Sequence, residues 1–203
     1  MKIICIGRNY SDHIEELANT RPSHPVVFLK PDSSIIPKNQ NFIIPAFSDE
    51  IHHEVELVVK INKVGKHIDE SFSNKYYNEI GLGIDFTARD IQNTLKQKGH
   101  PWEKSKAFDN SCLVGDFISV DKFKDWSKID FSLKKNNQLV QSGNSSNMLW
   151  KIDELISYVS QYFTLKIGDL IFTGTPAGVS KVISQDILEG YIDSTKMFSL
   201  KIK

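Results

Sequence analysis

Residues 50–61 read EIHHEVELVVKI, with the period-two alternation of a β-strand. Side chains two apart on a strand share a face, so Val55, Leu57, Val59 and Ile61 form one apolar face. The other face carries His52, Glu54 and Glu56 in succession. Like charges stacked on one face repel, more strongly as burial removes water. Two readings stay open. Either this face looks into water, as one side of many antiparallel sheets does, or it is buried and a divalent cation compensates the charge. The second reading needs a third ligand elsewhere in the chain.

Toward the N-terminus, residues 2–6 form an apolar strand ending at Gly7, after which RNYSDHIEEL changes to helical spacing with Asn9 or Ser11 as possible caps. PVVFLKP is an apolar run between prolines, and Pro37 and Pro45 punctuate SSIIPKNQNFIIP, which predicts short edge strands or an irregular crossing. Toward the C-terminus, EIGLGIDFTARDIQNTLKQKG predicts a strand through Asp85 and then a helix capped by Thr87 and stopped by Gly99. Gly81 and Gly83 inside that strand predict a bend or a close backbone approach. FSLKKNNQLVQSG predicts a hairpin turning near Asn136 and Asn137, and IDELISYVSQYF places Ile152, Leu155, Ile156, Val159 and Phe163 on one helical face. GDLIFTGTPAGVS is a strand opening into a Gly- and Pro-rich loop, and YIDSTKMFSLKIK alternates like a closing strand. Strands outnumber helices. The expected class is therefore α+β, mostly β, with a rolled or barrel-like sheet in one domain over residues 1–203.

At 203 residues and 40% hydrophobic composition the chain is long enough for a substantial core. Lys plus Arg number 25 and Asp plus Glu number 25, so no net charge draws it to a phosphate backbone and nucleic acid is not an expected partner. Cys5 and Cys112 make no disulfide framework and no metal-type pair, which suits a reducing, cytoplasmic setting. The apolar run before Gly7 and Arg8 is too short for an export signal, and no run approaches the roughly 20 residues that span a bilayer. A membrane association is not expected.

Asp85, where a glycine-rich strand runs into a helix, is the candidate third carboxylate; the alternative is a simple helix cap. Glu54, Glu56 and Asp85 together offer three hard oxygen ligands and no thiolate, a set that suits Mg²⁺ or Mn²⁺ rather than Zn²⁺. His13 and Glu16, three apart, share a helix face, so the carboxylate can orient the imidazole; otherwise they belong to a solvated helix surface. Arg89 and Gln92 are likewise three apart and face an anion near the metal, or are ordinary surface residues. In WEKSKAF, Lys104 and Lys106 sit two apart in an expected extended segment, and one of them can supply a cation to developing negative charge. TGTP offers hydroxyls and backbone amides to an anion, or is merely a turn. His24, His52, His53, His67 and His100 have no comparable partner at helical spacing.

The order and spacing of GRNYSDHIEE, PVVFLKP, HHEVEL, GIDFTARDIQ, KGHPWEKSKAF and FTGTPAGV resemble the fumarylacetoacetate hydrolase family over nearly the whole chain. The resemblance is nearest to its compact single-domain members, the acylpyruvate hydrolases and oxaloacetate decarboxylases. It implies a mixed β-sandwich roll with short peripheral helices, Mg²⁺ or Mn²⁺ held by Glu54, Glu56 and Asp85, and a water-activating dyad of His13 and Glu16. By position it also implies that Lys106 is the catalytic lysine and that Arg89, Gln92 and Thr175 contact the substrate. A homodimer acting on a small keto acid is expected. The chain begins almost at its first strand, so neither an extra domain nor organellar targeting is expected.

The activity so implied is cleavage of the C–C bond of acylpyruvates (2,4-dioxo acids) to pyruvate and a carboxylic acid, with decarboxylation of oxaloacetate alongside. The rival within the family is an isomerase or decarboxylase of intermediates like 2-hydroxyhepta-2,4-diene-1,7-dioate. A non-catalytic keto-acid-binding protein is the reading from a different class, and the intact His13 and Glu16 pair argues against it.

Overall fold

The structure is a computed structural model describing residues 1–17, 20–125 and 127–203. Strand β1 (Ile3–Gly7) leads into the short helix α1 (Ser11–Glu16), and β2 (Val26–Lys30) returns antiparallel to β1. After an irregular crossing come β3 (Ile51–His53), β4 (Val55–Ile61), β5 (Tyr77–Asp85) and the two-residue β6 (Thr87–Ala88). Helices α2 (Arg89–Lys98) and α3 (Glu103–Lys106) precede β7 (Cys112–Ser119) and the hairpin of β8 (Asp130–Lys135) and β9 (Gln138–Asn144). Helix α4 (Ile152–Tyr162) is followed by β10 (Leu170–Phe172), β11 (Ser180–Lys181), β12 (Ile187–Ile192) and β13 (Thr195–Lys201).

The strands form a six-stranded sheet in the order β2-β1-β10-β4-β5-β7, a four-stranded sheet β13-β12-β8-β9 and a small sheet β11-β3-β6. Every neighbouring pair is antiparallel except β1 with β10. The α+β, mostly β, mixed sandwich roll with short helices is thus the fold observed.

The alternation that the sequence predicts is what builds the core. Val55, Leu57, Val59 and Ile61 of β4 and Ile80, Leu82 and Ile84 of β5 pack in one cluster with Phe131 and Leu133 of β8, Leu188 of β12 and Leu155, Ile156 and Val159 of α4. Burying each such side chain contributes about 1.5–3 kcal/mol, so register in β4 is strongly specified. The opposite face of the six-stranded sheet holds a smaller cluster, Ile3, Cys5, Val58, Cys112, Leu170 and Phe172. Glu54 and Glu56 precede Val58 by even steps and so project on this second side.

Several local expectations change. Residues 50–61 are not one strand: the chain passes from the β11-β3-β6 sheet to the six-stranded sheet at Glu54, whose carbonyl accepts a hydrogen bond from Asp85 N at 2.8 Å. Alternation runs unbroken through such a change of partner, so it gives no sign of it. Neither Asn9 nor Ser11 caps α1. Asn9 is fully buried and instead ties three segments together, donating to Trp150 O and Thr173 O and accepting from Trp150 N. Ala88, not Thr87, precedes α2, because the Thr87 side chain is turned inward to Lys106. Residues 35–43 contain isolated bridges at Ile35 and Phe42 rather than strands. The tail is a hairpin of β12 and β13 turning through Asp193 at φ 49°, not a single closing strand. Other signals hold: Gly99 ends α2 at φ 63°, and Asn136 and Asn137 turn the β8–β9 hairpin at φ 53° and 66°, the left-handed pair that a two-residue turn requires.

Gly83 is a close approach. A Cβ there would stand 2.5 Å from Leu113 O and 2.8 Å from the Phe172 ring, and the register against β7 shifts between Gly81 and Gly83. We expect Gly83→Ala to cost about 1–3 kcal/mol through forced separation of β5 from β7. The check is urea unfolding; an unchanged midpoint would mean that β7 yields freely.

Candidate active site

Glu54 lies between β3 and β4, Glu56 is the second residue of β4, and Asp85 ends the neighbouring β5. Because β4 and β5 pair with Val55 opposite Ile84 and Glu56 opposite Gly83, the three carboxylates gather at one end of the sheet. They are buried, at 4%, 2% and 0% exposure, which excludes the reading of a face open to water. One oxygen from each lies within 4.8 Å of the others.

Cations compensate this charge unevenly. Lys106 Nζ donates to Glu54 Oε2 and Asp85 Oδ2, both at 2.7 Å, and to Thr87 Oγ1 at 2.6 Å. Arg89 pairs with the other oxygen of Glu54 and donates to Gln92 Oε1 at 2.6 Å. Lys30, fully buried, has its Nζ 2.8 Å from Asp85 Oδ1 and donates to Ser111 O, Ser111 Oγ and the carbonyl of Lys106. Glu56 has only the N–H of Gly174, at 2.7 Å; among the described residues no Lys or Arg pairs with it.

The ionisation pattern follows. Burial pushes the Glu56 carboxyl well up, and the charges of Asp85 and Glu54 add to the push. Burial also acts on Glu54, but there Lys106 and Arg89 outweigh it and hold the carboxyl well below its usual range. For Lys106 burial is overcome by Asp85 and Glu54, which keep the ammonium charged.

Three buried hard oxygens with no thiolate suit Mg²⁺ or Mn²⁺. Two further observations fit. Glu56 is a buried carboxyl that no Lys or Arg among the described residues pairs with and that its surroundings disfavour as an anion, and buried Asp85 Oδ1 makes no hydrogen bond of its own although Lys30 is beside it. A divalent ion held by Glu54, Glu56 and Asp85 would relieve both.

His13, on α1, faces the same cavity, and its Nδ1 is 3.0 Å from Glu16 Oε2. Glu16 Oε1 accepts the Gly178 N–H at 2.9 Å, which fastens α1 to the TGTPAGV loop. Burial pushes the His13 imidazole down, with Glu54 and Glu16 partly opposing, so near neutral pH it is uncharged. Arg89, Gln92, Lys106 and Thr175 line the cavity too, so eight of the nine residues singled out by sequence meet there and Glu16 joins through His13. The free space is about 30 Å³, room for about two waters.

Lys104 does not take part. The segment is the helix α3 rather than an extended run, so Lys104 and Lys106 point apart and Lys104 is exposed. Sequence reasoning passed over Lys30, Arg8 and Lys96, which belong here. Lys30 closes the apolar run PVVFLKP, where nothing local marks its ammonium as buried. Arg8 adopts φ 60°, a left-handed conformation uncommon for a residue with a side chain, and it lines the cavity with Lys96 of α2. Burial, with the charges of Arg8 and Arg89, pushes Lys96 down to about 8.

The family model for the fumarylacetoacetate (FAA) hydrolase C-terminal domain matches residues 2–199. The chain belongs to that family. Over 201 residues, 99% of this chain and 91% of the other, it is 42% identical to a mitochondrial oxaloacetate tautomerase of Mus musculus. It is 43% identical to a mitochondrial oxaloacetate decarboxylase of Dictyostelium discoideum over 89% of this chain and 84% of that one. The fumarylpyruvate hydrolase of Pseudomonas aeruginosa, solved with Mn²⁺ and pyruvate, superposes with a TM-score of 0.93 at 30% identity, covering 100% of this chain and 89% of that one. Membership in the fumarylacetoacetate hydrolase family accounts for the roll and for the order of its motifs.

Proposed function

We propose that the protein is a divalent-metal-dependent enzyme of 2-oxo acids that cleaves acylpyruvates to pyruvate and a carboxylic acid and decarboxylates oxaloacetate. The observation that carries this reading is a buried carboxylate cluster with one member that no Lys or Arg among the described residues pairs with, facing the same cavity as a neutral imidazole held by a carboxylate 3.0 Å away. The likeness to an oxaloacetate decarboxylase and to a fumarylpyruvate hydrolase solved with Mn²⁺ and pyruvate supports it.

A cation held by Glu54, Glu56 and Asp85 would supply Lewis-acid polarisation of the substrate's 2-oxo and carboxylate oxygens. With Nδ1 engaged by Glu16, His13 has Nε2 left to take a proton from water attacking the C4 carbonyl. The C3–C4 bond then breaks, its electrons passing into pyruvate enolate while the acyl carbon leaves as the acid. The Lys106 ammonium offers charge to the enolate oxygen, and Arg89 with Gln92 offers donors to the carboxylate. Oxaloacetate reaches the same enolate by losing CO₂, with no water to activate.

Arg8 and Lys96 make one side of the cavity cationic. That favours substrates with a second carboxylate. We expect Lys96→Gln to raise KM for oxaloacetate about two- to fivefold, the worth of a solvent-accessible charge pair, and to leave acetylpyruvate nearly unaffected. Equal changes for both would remove Lys96 from substrate selection.

The deciding experiment offers metal-stripped protein, resupplied with Mg²⁺ or Mn²⁺, acetylpyruvate, fumarylpyruvate, oxaloacetate and a hydroxy-dienedioate. Pyruvate from the first two and CO₂ from the third are expected. A second reading, tautomerisation of oxaloacetate, is favoured by the name of the mouse relative; enol–keto conversion without acid or CO₂ release would put it first. Turnover of the dienedioate alone would favour the isomerase. We further propose a homodimer, as the family resemblance implies, and a single domain in a reducing, cytoplasmic setting, as chain length and the two cysteines suggest. Among the described residues no helix is long and apolar enough to cross a membrane.

A further inference from the structure

His53 and Gln141 are fully buried polar residues that the chemistry above does not use, and they meet behind the site. His53 Nδ1 lies 2.9 Å from Gln141 Oε1, and Gln141 Nε2 lies 2.8 Å from Thr175 Oγ1 and 3.0 Å from Pro176 O. Their contacts leave little freedom in the direction of each hydrogen bond.

The backbone N–H of Val55 donates to Gln141 Oε1 at 3.1 Å, which identifies that atom as the oxygen. The other end is therefore the NH₂ group, in agreement with its second partner, the carbonyl of Pro176, which only accepts. Facing an oxygen, His53 Nδ1 must carry the hydrogen. Its Nε2 then takes the Ser180 hydroxyl at 2.8 Å, and Ser180 in turn accepts from Lys135 at 3.1 Å. Every group in the chain from Lys135 to Thr175 thus has one role.

At the far end this polarity has a chemical result. Thr175 Oγ1 accepts from Gln141, so its own hydrogen has to go elsewhere; Thr175 lines the cavity, is 3% exposed, and finds no acceptor for that hydrogen among the described residues. We propose that Gln141, locked by Val55 and His53, is a positioning residue that turns the Thr175 hydroxyl into an obligate donor toward an anionic oxygen of the substrate. This rests on the reading of Thr175 as a substrate contact. Without the lock the hydroxyl is as free to accept as to donate, and it loses its preference for an anion over a water hydrogen.

A double-mutant cycle with oxalate as the probe tests it, by calorimetric titration of the folded protein at saturating Mg²⁺. Thr175→Val should weaken oxalate about 10- to 100-fold, the range for a hydrogen bond to a charged group. Gln141→Glu reverses the polarity, since a carboxylate takes the Thr175 hydrogen for itself. Its negative charge acts on oxalate in both backgrounds and cancels in the cycle. The expected result is a loss at least about fivefold larger with Thr175 present than in the Thr175→Val background. If Gln141→Glu does not fold, Gln141→Met serves in the same cycle, being of similar length and without polar atoms. Equal losses in both backgrounds would overturn the proposal and leave Thr175 as a contact. Unchanged oxalate binding in Thr175→Val alone would overturn the contact itself, and the proposal with it.

Discussion

His13→Ala is expected to slow acylpyruvate hydrolysis by about two to four powers of ten, the worth of a positioned general base, while oxaloacetate decarboxylation falls far less. Hydrolysis needs a water deprotonated at the moment of attack; loss of CO₂ does not. The ratio of the two losses is the measurement, and metal occupancy must be verified first, because a vacated metal site would depress both reactions in parallel. The pH profile gives a second check. A base works when neutral, and burial holds the His13 imidazole below its ordinary value of 6.5. Wild-type hydrolysis should therefore be sustained above that pH and be lost on an acid limb below it, and in His13→Ala that limb should disappear. Equal losses in both reactions with oxalate binding intact would move His13 from water activation to the shared enolate step.

Much of this site is legible in the sequence because the fold keeps the simplest periodicities. Alternation through β4 places Glu54 and Glu56 on the face opposite Val55 and Leu57, and i,i+3 spacing brings His13 to Glu16 and Arg89 to Gln92, as the structure has them. What the sequence hides are matters of partner. The passage between sheets at Glu54 leaves the alternation intact. Lys30 becomes an internal cation only because Asp85 and Ser111, far along the chain, close over it. Thr87 has the chemistry of a helix cap and is taken by Lys106 instead. His53 has no partner at helical spacing because the one it has, Gln141, is 88 residues away. Local pattern specifies faces; which buried polar groups complete one another depends on contacts between strands distant in sequence.

Glu56→Gln is expected to remove most of the stabilisation that Mg²⁺ confers while leaving the metal-free protein at least as stable as wild type. Gln has the same shape, and its side-chain oxygen can still accept from Gly174. What it removes is the capacity to ionise, which burial and the neighbouring Asp85 and Glu54 disfavour, Lys106 and the Gly174 N–H opposing them only in part, and which a bound cation would restore. For a protein that binds the ion only when folded, Mg²⁺ at about 100 times its dissociation constant adds about 2.7 kcal/mol. In a chain of this size that is about 5–10 °C in Tm. If losing one of three anionic ligands weakens binding about a hundredfold, the same Mg²⁺ concentration adds only about 0.4 kcal/mol, or about 1 °C. The comparison needs no substrate and so tests the ligand assignment apart from the reaction. A full wild-type shift in the variant would remove Glu56 from the ligand set. A metal-free variant much less stable than wild type would mean that the Glu56 carboxyl holds the fold together, whereas in a site built for a cation that carboxyl need ionise only when the ion arrives.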